Sequence, residues 1–540
     1  MQRNRFFIAF TAAFGITLAA CSDNNSNSNN QTPEPQPEPE EQSLSLPESQ
    51  RGSSWYVNGE QAVSNTREVS VNSEAGAAKN VILFVGDGMG ISTVTAARIL
   101  AGQMQGQNGE EYQLSFEKMP FAGLIKTYNT NQQTPDSAGT ATAMLAGVKT
   151  KAGVINVDES VDRSDCAASL ERPLTTAVEL AEALGKSTGV ISTARITHAT
   201  PAAAYAKVPE RNWEYSAPDG CKDIATQLVA LEAGDGIDVI MGGGRRGFLP
   251  PEVIDAEGSA GRRSDGVNLV EAWQQRYSDG VTNALYIQEQ QAFDGIDVAS
   301  TDKLLGLFAS SHMRYEADRS NDVGGEPSLS QMTGKAIELL GKNDNGYFML
   351  VESGRIDHGH HAGSAYSALT DAIEFANAIQ VAMDNTDAED TLIVVTADHS
   401  HVMTIAGYPT RGNPILGKVV TNDGSGLPQP GLALADDGMP YTTITYTNGL
   451  GHAHYGSGTD ADDRYEDPVS AGRQDIAADD TQAAGYHQEA LVPMGGGETH
   501  AGEDVGVWAR GPGAHLLSGT NEQSYLFHVM AHAGGLLGEE

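Results

Sequence analysis

The sequence is poor in positive charge and in aromatic side chains. It has 33 Lys and Arg against 71 Asp and Glu, a formal net charge of −38 at pH 7, and no Lys follows Lys418. This balance excludes nucleic acids and anionic membrane surfaces as electrostatic partners, because both are negatively charged themselves. Aromatic residues make up only 6% of the chain, whereas Gly supplies 61 of its 540 residues. Such a composition is typical of an α/β enzyme with many loops.

The N-terminal hydrophobic run, residues 6–20, is too short to span a membrane comfortably, and it follows Arg3 and Arg5. It ends in Leu-Ala-Ala before Cys21, which resembles a bacterial lipoprotein signal. We therefore predict cleavage before Cys21 and lipidation of its thiol, with Ser22 favouring the outer membrane of a Gram-negative cell on its periplasmic or cell-surface face. An ordinary signal peptide with a cysteine after its apolar run is the alternative.

The composition divides the chain into three predicted parts. Residues 1–20 form the predicted signal peptide, and residues 21–50, rich in Asn, Ser, Pro and Glu, form a predicted disordered tether. Residues 51–540 then form a single domain with a Gly-, Asp- and Pro-rich insertion at about 405–490.

Two cysteines remain beyond Cys21. They are Cys166 and Cys221. In an oxidising compartment this pair predicts one disulfide that closes a long loop, and two free thiols are the alternative.

Short runs of Val, Ile and Leu predict buried strands of a mostly parallel sheet. These runs are residues 81–85, 189–192, 237–241, 347–351, 392–396, 442–446 and 505–509. Helical patterns lie between them, for example at residues 174–184, 329–340 and 365–383. The alternation predicts an α/β fold, a three-layer sandwich with a central, mostly parallel sheet flanked by helices.

Ligands of such sheets bind beyond the carboxyl ends of the strands. Polar residues follow several of the predicted strands at this edge: Asp87, Thr200, Glu352, Asp398 and His399. The segment from Glu352 (ESGRIDHGHH) is the densest cluster, and its mixture of carboxylates and imidazoles suits divalent ions. A polar surface loop with incidental histidines is the alternative.

The other candidate ligands are weak signals when each is taken alone. Asp87 lies in a glycine-rich turn (GDGMG) that could cradle phosphate, but the turn lacks the P-loop Lys and the Rossmann spacing. Asp398 and His399 could be turn residues, and His500, before the last apolar run, could be structural.

Ser137 lies where a run of small residues predicts the start of a helix. A serine at this position is commonly an N-cap. In the functional interpretation, the helix N-terminus and a nearby metal lower the pKa of its hydroxyl and make it a nucleophile.

Together these segments resemble the alkaline phosphatase family, especially its animal-type branch. The resemblance extends from about Lys79 to Leu537 and rests on the order of PDSAGTATA, VESGRIDHGHH, TADHSHV and ETHAGEDV. It implies hydrolysis of phosphate monoesters through a phosphoserine at Ser137, assisted by two zinc ions and one magnesium ion. It also implies a homodimer and a disulfide between Cys166 and Cys221.

The resemblance also implies the ligands of each metal ion. The first zinc would bind Asp357, His361 and His500, the second Asp87, Asp398 and His399, and the magnesium Asp87, Thr200 and Glu352.

Four further residues would contact or orient the phosphate. Arg211 would clamp it, with Asp136 orienting Arg211, and His358 and His198 would lie beside it. His198 and His358 follow the animal pattern, and we expect His198 to weaken or alter the third metal site. Animal relatives also carry a calcium site, but Ala309 replaces an expected acidic ligand, which argues against calcium here.

The rival functions are a phosphodiesterase or sulfatase of the same superfamily, or an inactive surface lipoprotein that binds phosphate or metal. Sulfatases need a C/S-x-P-x-R motif, which is missing around Ser137, and nucleotide pyrophosphatases use Thr as nucleophile. The combination of nucleophile, ligands and arginine argues against an inactive binder.

Overall fold

The structure is a computed structural model that describes residues 71–454 and 473–537, together with Ser54, Val57, Asn58, Gln61 and Val69. Contacts divide the chain into two units, Met1–Arg67 and Glu68–Glu540, and every element below belongs to the second. The predicted signal peptide 1–20, Cys21, the tether 21–50 and the predicted domain start at residue 51 lie outside the described residues. No helix within the described part of the chain is long and apolar enough to cross a membrane.

The part of the chain that the structure describes contains both long apolar strands and short two- to four-residue strands. In chain order they are β1 (Asn80–Gly86), β2 (Phe121–Lys126), β3 (Ser187–Arg195), β4 (Val239–Gly243), β5 (Ala284–Ile287), β6 (Lys303–Ala309), β7 (Tyr347–Ser353), β8 (Thr391–Ala397), β9 (Ser400–His401), β10 (Met403–Ile405), β11 (Ile444–Gly449), β12 (Ala453–His454), β13 (Tyr486–His487), β14 (Ala490–Pro493), β15 (His500–Ala501), β16 (Val505–Arg510) and β17 (Gly519–Glu522).

Ten of these strands form one sheet, in the order β17-β2-β16-β8-β1-β7-β3-β4-β6-β5. All neighbouring strands are parallel except β16, which is antiparallel to both β8 and β2. The predicted mostly parallel sheet is confirmed. Strand β16 contains the predicted run 505–509, and its burial on both faces gave no sign of its reversed direction.

The α-helices of the described residues lie mainly between these strands. They are α1 (Ile91–Met104), α2 (Ser137–Ala146), α3 (Cys166–Ser169), α4 (Ala177–Ala183), α5 (Ala199–Ala202), α6 (Ile224–Val229), α7 (Leu269–Arg276), α8 (Gln290–Asp294), α9 (Leu329–Leu340), α10 (Arg355–His361), α11 (Ala365–Asp384) and α12 (Tyr525–Gly534). Helix α4 begins later than the predicted residue 174, because the Thr176 hydroxyl accepts a hydrogen bond from the backbone N–H of Glu179 (3.2 Å) and caps the helix there.

Helices cover both faces of the sheet. Phe84 of β1 packs edge-on against Phe375 of α11, with ring centroids 5.9 Å apart. Val81, three residues earlier, points to the opposite face and lies beside Gly534 of α12. The predicted three-layer α/β sandwich is therefore confirmed.

The predicted strand at 442–446 is displaced and lies outside the main sheet. Strand β11 begins at Ile444 and forms a three-stranded sheet with β10 and β14. Thr442 instead forms an isolated bridge with Lys418. Residues 455–472 of this region lie outside the described residues, and its assignment as an insertion stays a prediction.

The structure joins Cys166, the first residue of α3, to Cys221 in a disulfide, with Cα atoms 5.9 Å apart. The bond links residues 55 positions apart and agrees with the predicted pairing.

Candidate active site

The carboxyl ends of adjacent strands β8, β1, β7 and β3 bring the predicted site residues together. Asp87 directly follows β1, Glu352 is the penultimate residue of β7, and Asp398 and His399 directly follow β8. All four residues are fully buried. The sheet topology therefore gathers residues that are more than 300 positions apart in the sequence.

The glycine-rich turn after β1 binds a protein carboxylate. The N–H of Gly88 donates a hydrogen bond to Asp398 Oδ1 (2.9 Å). Gly88 has a φ of +69°, and a Cβ at this position would collide with the His401 ring. This N–H is thus engaged in positioning Asp398, and the turn brings β1 close to the residues that follow β8.

Ser137 is the first residue of α2, and the N-cap is Asp136. The Asp136 carboxylate accepts the Gly139 N–H at 3.2 Å, so the interpretation of Ser137 as the N-cap is wrong. The buried Ser137 hydroxyl lies 3.2 Å from His399 Nε2 and 3.5 Å from Asp87 Oδ1. The serine oxygen therefore faces two predicted metal ligands at the positive end of a helix dipole.

Asp87, Asp398 and His399 form the first group of possible ligands, with ligand atoms within 4.8 Å of one another. His399 Nε2 lies 3.6 Å from Asp87 Oδ1 and 3.2 Å from Asp398 Oδ2. The outer oxygens of the two carboxylates, Asp87 Oδ2 and Asp398 Oδ2, are buried and have no hydrogen-bond partner among the described residues. A divalent cation would satisfy both.

Asp357, His361 and His500 form the second group. His361 Nε2 and His500 Nε2 lie 3.3 and 3.4 Å from Asp357 Oδ1 and 3.1 Å from each other. Nδ1 of His361 lies 2.6 Å from the Glu498 carbonyl oxygen, and Nδ1 of His500 lies 2.8 Å from that of Pro135. These contacts orient both rings so that each Nε2 faces Asp357, and three possible ligand atoms converge where a cation would bind.

His401 and Glu498 are part of this site although neither was a predicted site residue. His401 Nε2 lies 2.7 Å from Asp357 Oδ1, and its Nδ1 lies 2.5 Å from Glu498 Oε2. His401 is buried, and the charges and hydrogen bonds of Glu498 and Asp357 outweigh burial and raise its pKa to about 10. His401 thus contacts the same Asp357 oxygen as His361 and His500, and its ring belongs to two of the groups of possible ligands among the described residues.

The third group consists of Asp87, Glu352 and His198, with Thr200 in the adjacent helix α5. Glu352 Oε2 accepts a short hydrogen bond from the Ser192 hydroxyl. Oxygen donors suit magnesium, whereas the imidazole of His198 adds a nitrogen donor beside them. The structure thus places His198 at the third predicted metal position.

Electrostatics also favour a cation. Burial, followed by the charge of Asp398, raises the pKa of Asp87 well above its ordinary value, and burial raises the pKa of Glu352 to about 7. Asp357 behaves differently: burial opposes ionisation, but the charge of His361 and hydrogen bonds from neighbouring imidazoles hold its pKa well below the ordinary range. The clustered carboxylates repel one another unless positive charge is supplied.

Arg211 contacts Asp136, the N-cap of the helix that begins at Ser137. Its Nη1 donates to Asp136 Oδ2 (3.2 Å), and its Nη2 contacts His198 Nε2 (3.1 Å). Burial, then the charges of Arg211 and Arg195, hold the pKa of His198 well below its ordinary value, so this imidazole is neutral.

His358 belongs to a histidine cluster that the sequence reasoning missed in part. The ring centroids of His358 and His312 are 4.1 Å apart, and that of His198 lies 5.6 Å from His358. Arg355 Nη1 lies 3.0 Å from His358 Nδ1, and the Arg355 guanidinium stacks 3.7 Å from the Tyr315 ring. Arg355 and His312 are therefore additional residues of the site.

Fold and site define an α/β enzyme with a candidate metal centre at the carboxyl edge of its sheet. The chain belongs to the alkaline phosphatase family, since the model described as alkaline phosphatase matches residues 78–536. It is therefore a phosphatase, and the predicted resemblance to this family is confirmed.

Relatives from animals are similar over most of their length. The chain is 45% identical over 469 residues to the tissue-nonspecific isozyme of alkaline phosphatase from Gallus gallus, covering 84% of both chains. It is 39% identical over 502 residues to the membrane-bound alkaline phosphatase of Bombyx mori, covering 91% of this chain and 86% of that protein.

Solved bacterial alkaline phosphatases share the fold. The Thermus thermophilus enzyme superposes with a TM-score of 0.60 at 24% identity, covering 91% of this chain and 96% of that one. The cold-active enzyme of a Shewanella species has a TM-score of 0.55 at 26% identity, covering 85% and 100%.

Proposed function

We propose that this phosphatase hydrolyses phosphate monoesters to an alcohol and inorganic phosphate through a phosphoserine at Ser137. The observation that carries the proposal is the position of the Ser137 hydroxyl, 3.2 Å from His399 Nε2 and 3.5 Å from Asp87 Oδ1, inside a cluster of unneutralised acceptors. A cation bound to these acceptors would lower the pKa of the Ser137 hydroxyl and make it a nucleophile, so no conventional base is needed.

The three groups of acceptors would hold two zinc ions and one magnesium ion. Asp357, His361 and His500 would bind the first zinc. Asp87, Asp398 and His399 would bind the second, and Asp87, Glu352 and Thr200 the magnesium. When bound, such ions neutralise charge on a transferring phosphoryl group and lower the pKa of an oxygen nucleophile.

The protein's own residues position the reactants. The Ser137 oxygen attacks phosphorus, the alcohol departs on the opposite side, and a water molecule then cleaves the phosphoserine and releases phosphate. The fork of Arg211 binds two phosphate oxygens, and its contact with Asp136 keeps it aimed at the serine. His358, held by Arg355, contacts phosphate through water.

Substrate comparison tests the reaction class. The purified, zinc- and magnesium-loaded protein should hydrolyse p-nitrophenyl phosphate with a higher kcat/KM than bis(p-nitrophenyl) phosphate or p-nitrophenyl sulfate. A higher value for the diester would make the protein a phosphodiesterase, and one for the sulfate would make it a sulfatase. Absence of turnover on all three would favour the inactive binder.

Ser137→Ala tests the intermediate. The variant should lose steady-state turnover and the acid-stable phosphate label on the protein, while its metal content stays near that of the unmodified protein. Ser425→Ala, in an exposed turn, serves as the matched control. Unchanged activity of the Ser137 variant would disprove the mechanism.

For localisation, we propose that a lipid on Cys21 holds the enzyme at the periplasmic or cell-surface face of a Gram-negative outer membrane. We also propose phosphate monoesters as its substrates and a homodimer as its assembly. The lipoprotein-like sequence before Cys21 supports the anchor. Cys21→Ser should move activity from the membrane fraction to the soluble fraction. Retention on the membrane would contradict lipidation, and light scattering would establish the dimer.

A further inference from the structure

A second group of arginines lies at the same edge of the sheet as the candidate active site. Arg195 is the last residue of β3, and Arg246 lies in the turn directly after β4. The N–H of Arg262 donates to the carbonyl oxygen of Arg246 at 2.8 Å, so the two residues are neighbours. Three guanidinium-bearing residues therefore gather in a chain whose net charge is −38.

Arg246 and Arg262 form no ion pair within the ranges that the structure describes. Their neighbour Arg245 does: its Nε lies 2.8 Å from Asp255 Oδ2, and its Nη2 lies 2.7 Å from Glu257 Oε2. Nε of Arg246 is instead buried and has no hydrogen-bond partner among the described residues. A buried donor of this kind calls for an acceptor from outside the chain.

The charge of Glu214 acts on Arg246, but this carboxylate forms its hydrogen bonds with other residues. Glu214 accepts two hydrogen bonds from Arg195, at 2.8 and 2.7 Å, and a third from the Thr197 hydroxyl at 2.6 Å. Burial and the charges of Arg195 and Arg262 lower the pKa of Arg246. The like charges thus repel one another, and an anion placed between them would be bound favourably.

The sheet order gives the distance between this group and the active site. Strand β4 is three positions from β1, which is followed by Asp87 beside the Ser137 hydroxyl, and neighbouring strands are about 4.8 Å apart, so the two strand ends lie roughly 14 Å apart. A line of side chains connects them: Arg195 contacts His312, and the His312 ring lies 4.1 Å from that of His358. The two anion sites therefore share one edge.

We propose that Arg246 and Arg262, supported by Arg195, bind a second anionic group on the alcohol part of the substrate. The favoured substrates are phosphate monoesters whose alcohol bears another phosphate roughly 14 Å from the first. The inference rests on the proposed monoester hydrolysis at Ser137 and names the substrate class of that site. It also explains how an acidic protein gains a binding advantage for a doubly anionic molecule.

The test uses two probes with identical ester chemistry, octane-1,8-diol monophosphate and octane-1,8-diol bisphosphate. In the metal-loaded enzyme, we expect kcat/KM for the bisphosphate to exceed that for the monophosphate at least about fivefold after correction for its two esters, mainly through KM. The double variant Arg246→Gln/Arg262→Gln should reduce this ratio to about one. The shorter propane-1,3-diol bisphosphate should show a smaller advantage in the unmodified enzyme.

The matched control is Arg172→Gln, which removes one positive charge from an exposed arginine without an ion pair among the described residues. The control should leave the ratio of the two kcat/KM values unchanged. The single variant Arg262→Gln, at an exposed position, should lower this ratio even if the double variant folds poorly. A ratio of one in the unmodified enzyme, or an unchanged ratio in the arginine variants, would overturn the second anion site. Failure to hydrolyse the monophosphate at all would instead refute the proposed function.

Discussion

The two edges of the central sheet both bury charged side chains, but they neutralise them differently. At the amino edge, the buried Lys303 at the start of β6 lies 2.7 Å from Asp235 Oδ1 and 2.9 Å from Asp238 Oδ1, and it donates to the Gly236 carbonyl oxygen at 2.6 Å. Asp238 also accepts the Thr188 N–H at 2.7 Å. This edge supplies its own cation and is internally satisfied.

At the carboxyl edge, the carboxylates of Asp87, Glu352 and Asp398 are buried without a lysine or arginine paired to them among the described residues. Their acceptors converge with imidazole nitrogens in two groups, one with His198 and one with His399. The same fold can thus neutralise buried charge and does so where only stability is needed. Unneutralised charge marks the edge where function requires a ligand from outside.

Metal removal should have the largest effect, because the proposed function makes the carboxyl edge depend on an external cation. Dialysis against a chelator should lower kcat/KM by about 10³-fold or more, which corresponds to several kcal/mol of lost transition-state stabilisation. It should also lower the Tm, and added zinc should restore both. The control is the same chelator saturated with zinc beforehand. Full activity of a demonstrably metal-free sample would refute the claim that the carboxyl edge, unlike the amino edge, needs a cation from outside the chain.

Lys303→Met should destabilise the amino edge by about 3–5 kcal/mol, because it leaves the Asp238 carboxylate buried without its cation. Urea unfolding measures the loss. Lys118→Met, at an exposed lysine, provides the control and should change the free energy of unfolding little. A loss equal to that of the control would mean that the amino edge is not held by this charge network.

Glu182→Gln should reveal a pH dependence at the amino edge. Burial raises the pKa of Glu182 from 4.5 to about 8, so the folded protein holds a proton that the unfolded chain releases. The free energy of unfolding therefore falls as pH rises from about 4.5 to about 8, and the variant lacks this fall. By pH 9 the variant should gain roughly 2–4 kcal/mol relative to the unmodified protein, with little difference near pH 4.5.

Urea unfolding across this pH range measures the effect, and Glu338→Gln, at an exposed helix position, is its control. Parallel pH profiles of the unmodified protein and the Glu182 variant would contradict a raised pKa.

Thr176→Ala should have the smallest effect. Loss of the capping hydroxyl of α4, the helix that carries Glu182, should cost about 1 kcal/mol. Because the cap involves neither metals nor buried charge, the cost should be equal at pH 5 and pH 9, and with or without metals. Thr176→Ser, which retains the hydroxyl, should recover most of it. A cost that changes with pH would link the cap to the charge network.

Buried apolar runs predicted the centre of the sheet well and its margins poorly. The runs within β1, β7 and β8 were recognised because these strands are buried on both faces. Strand β17 (GTNE) has no apolar residue and joins the sheet only through its backbone, so no side-chain pattern announces it. Gly306 interrupts the apolar run of β6, which hid a fully buried strand.

The candidate ligands were grouped from sequence by resemblance, but their supporting residues were not. His401 and Glu498 each lie two positions from a predicted ligand, His399 and His500, and His401 pairs directly with His500 where β9 meets β15. An extended backbone places residues two apart on one side, and this spacing was the available signal. Arg246 had no such signal, because only the sheet order places β4 beside β3.

The reversed strand β16 also bears on how the enzyme matures. Its antiparallel direction explains why His500 precedes its strand, whereas Asp87 and Asp398 follow theirs. The first and last predicted zinc ligands, residues 87 and 500, are 413 positions apart (500 − 87). In the proposed arrangement, the group of Asp357, His361 and His500 is therefore incomplete until the segment that leads into β16 is in place, whereas Asp87, Asp398 and His399 all precede it. We expect cation binding at this one group to be a late event that reports the arrival of the C-terminal segment.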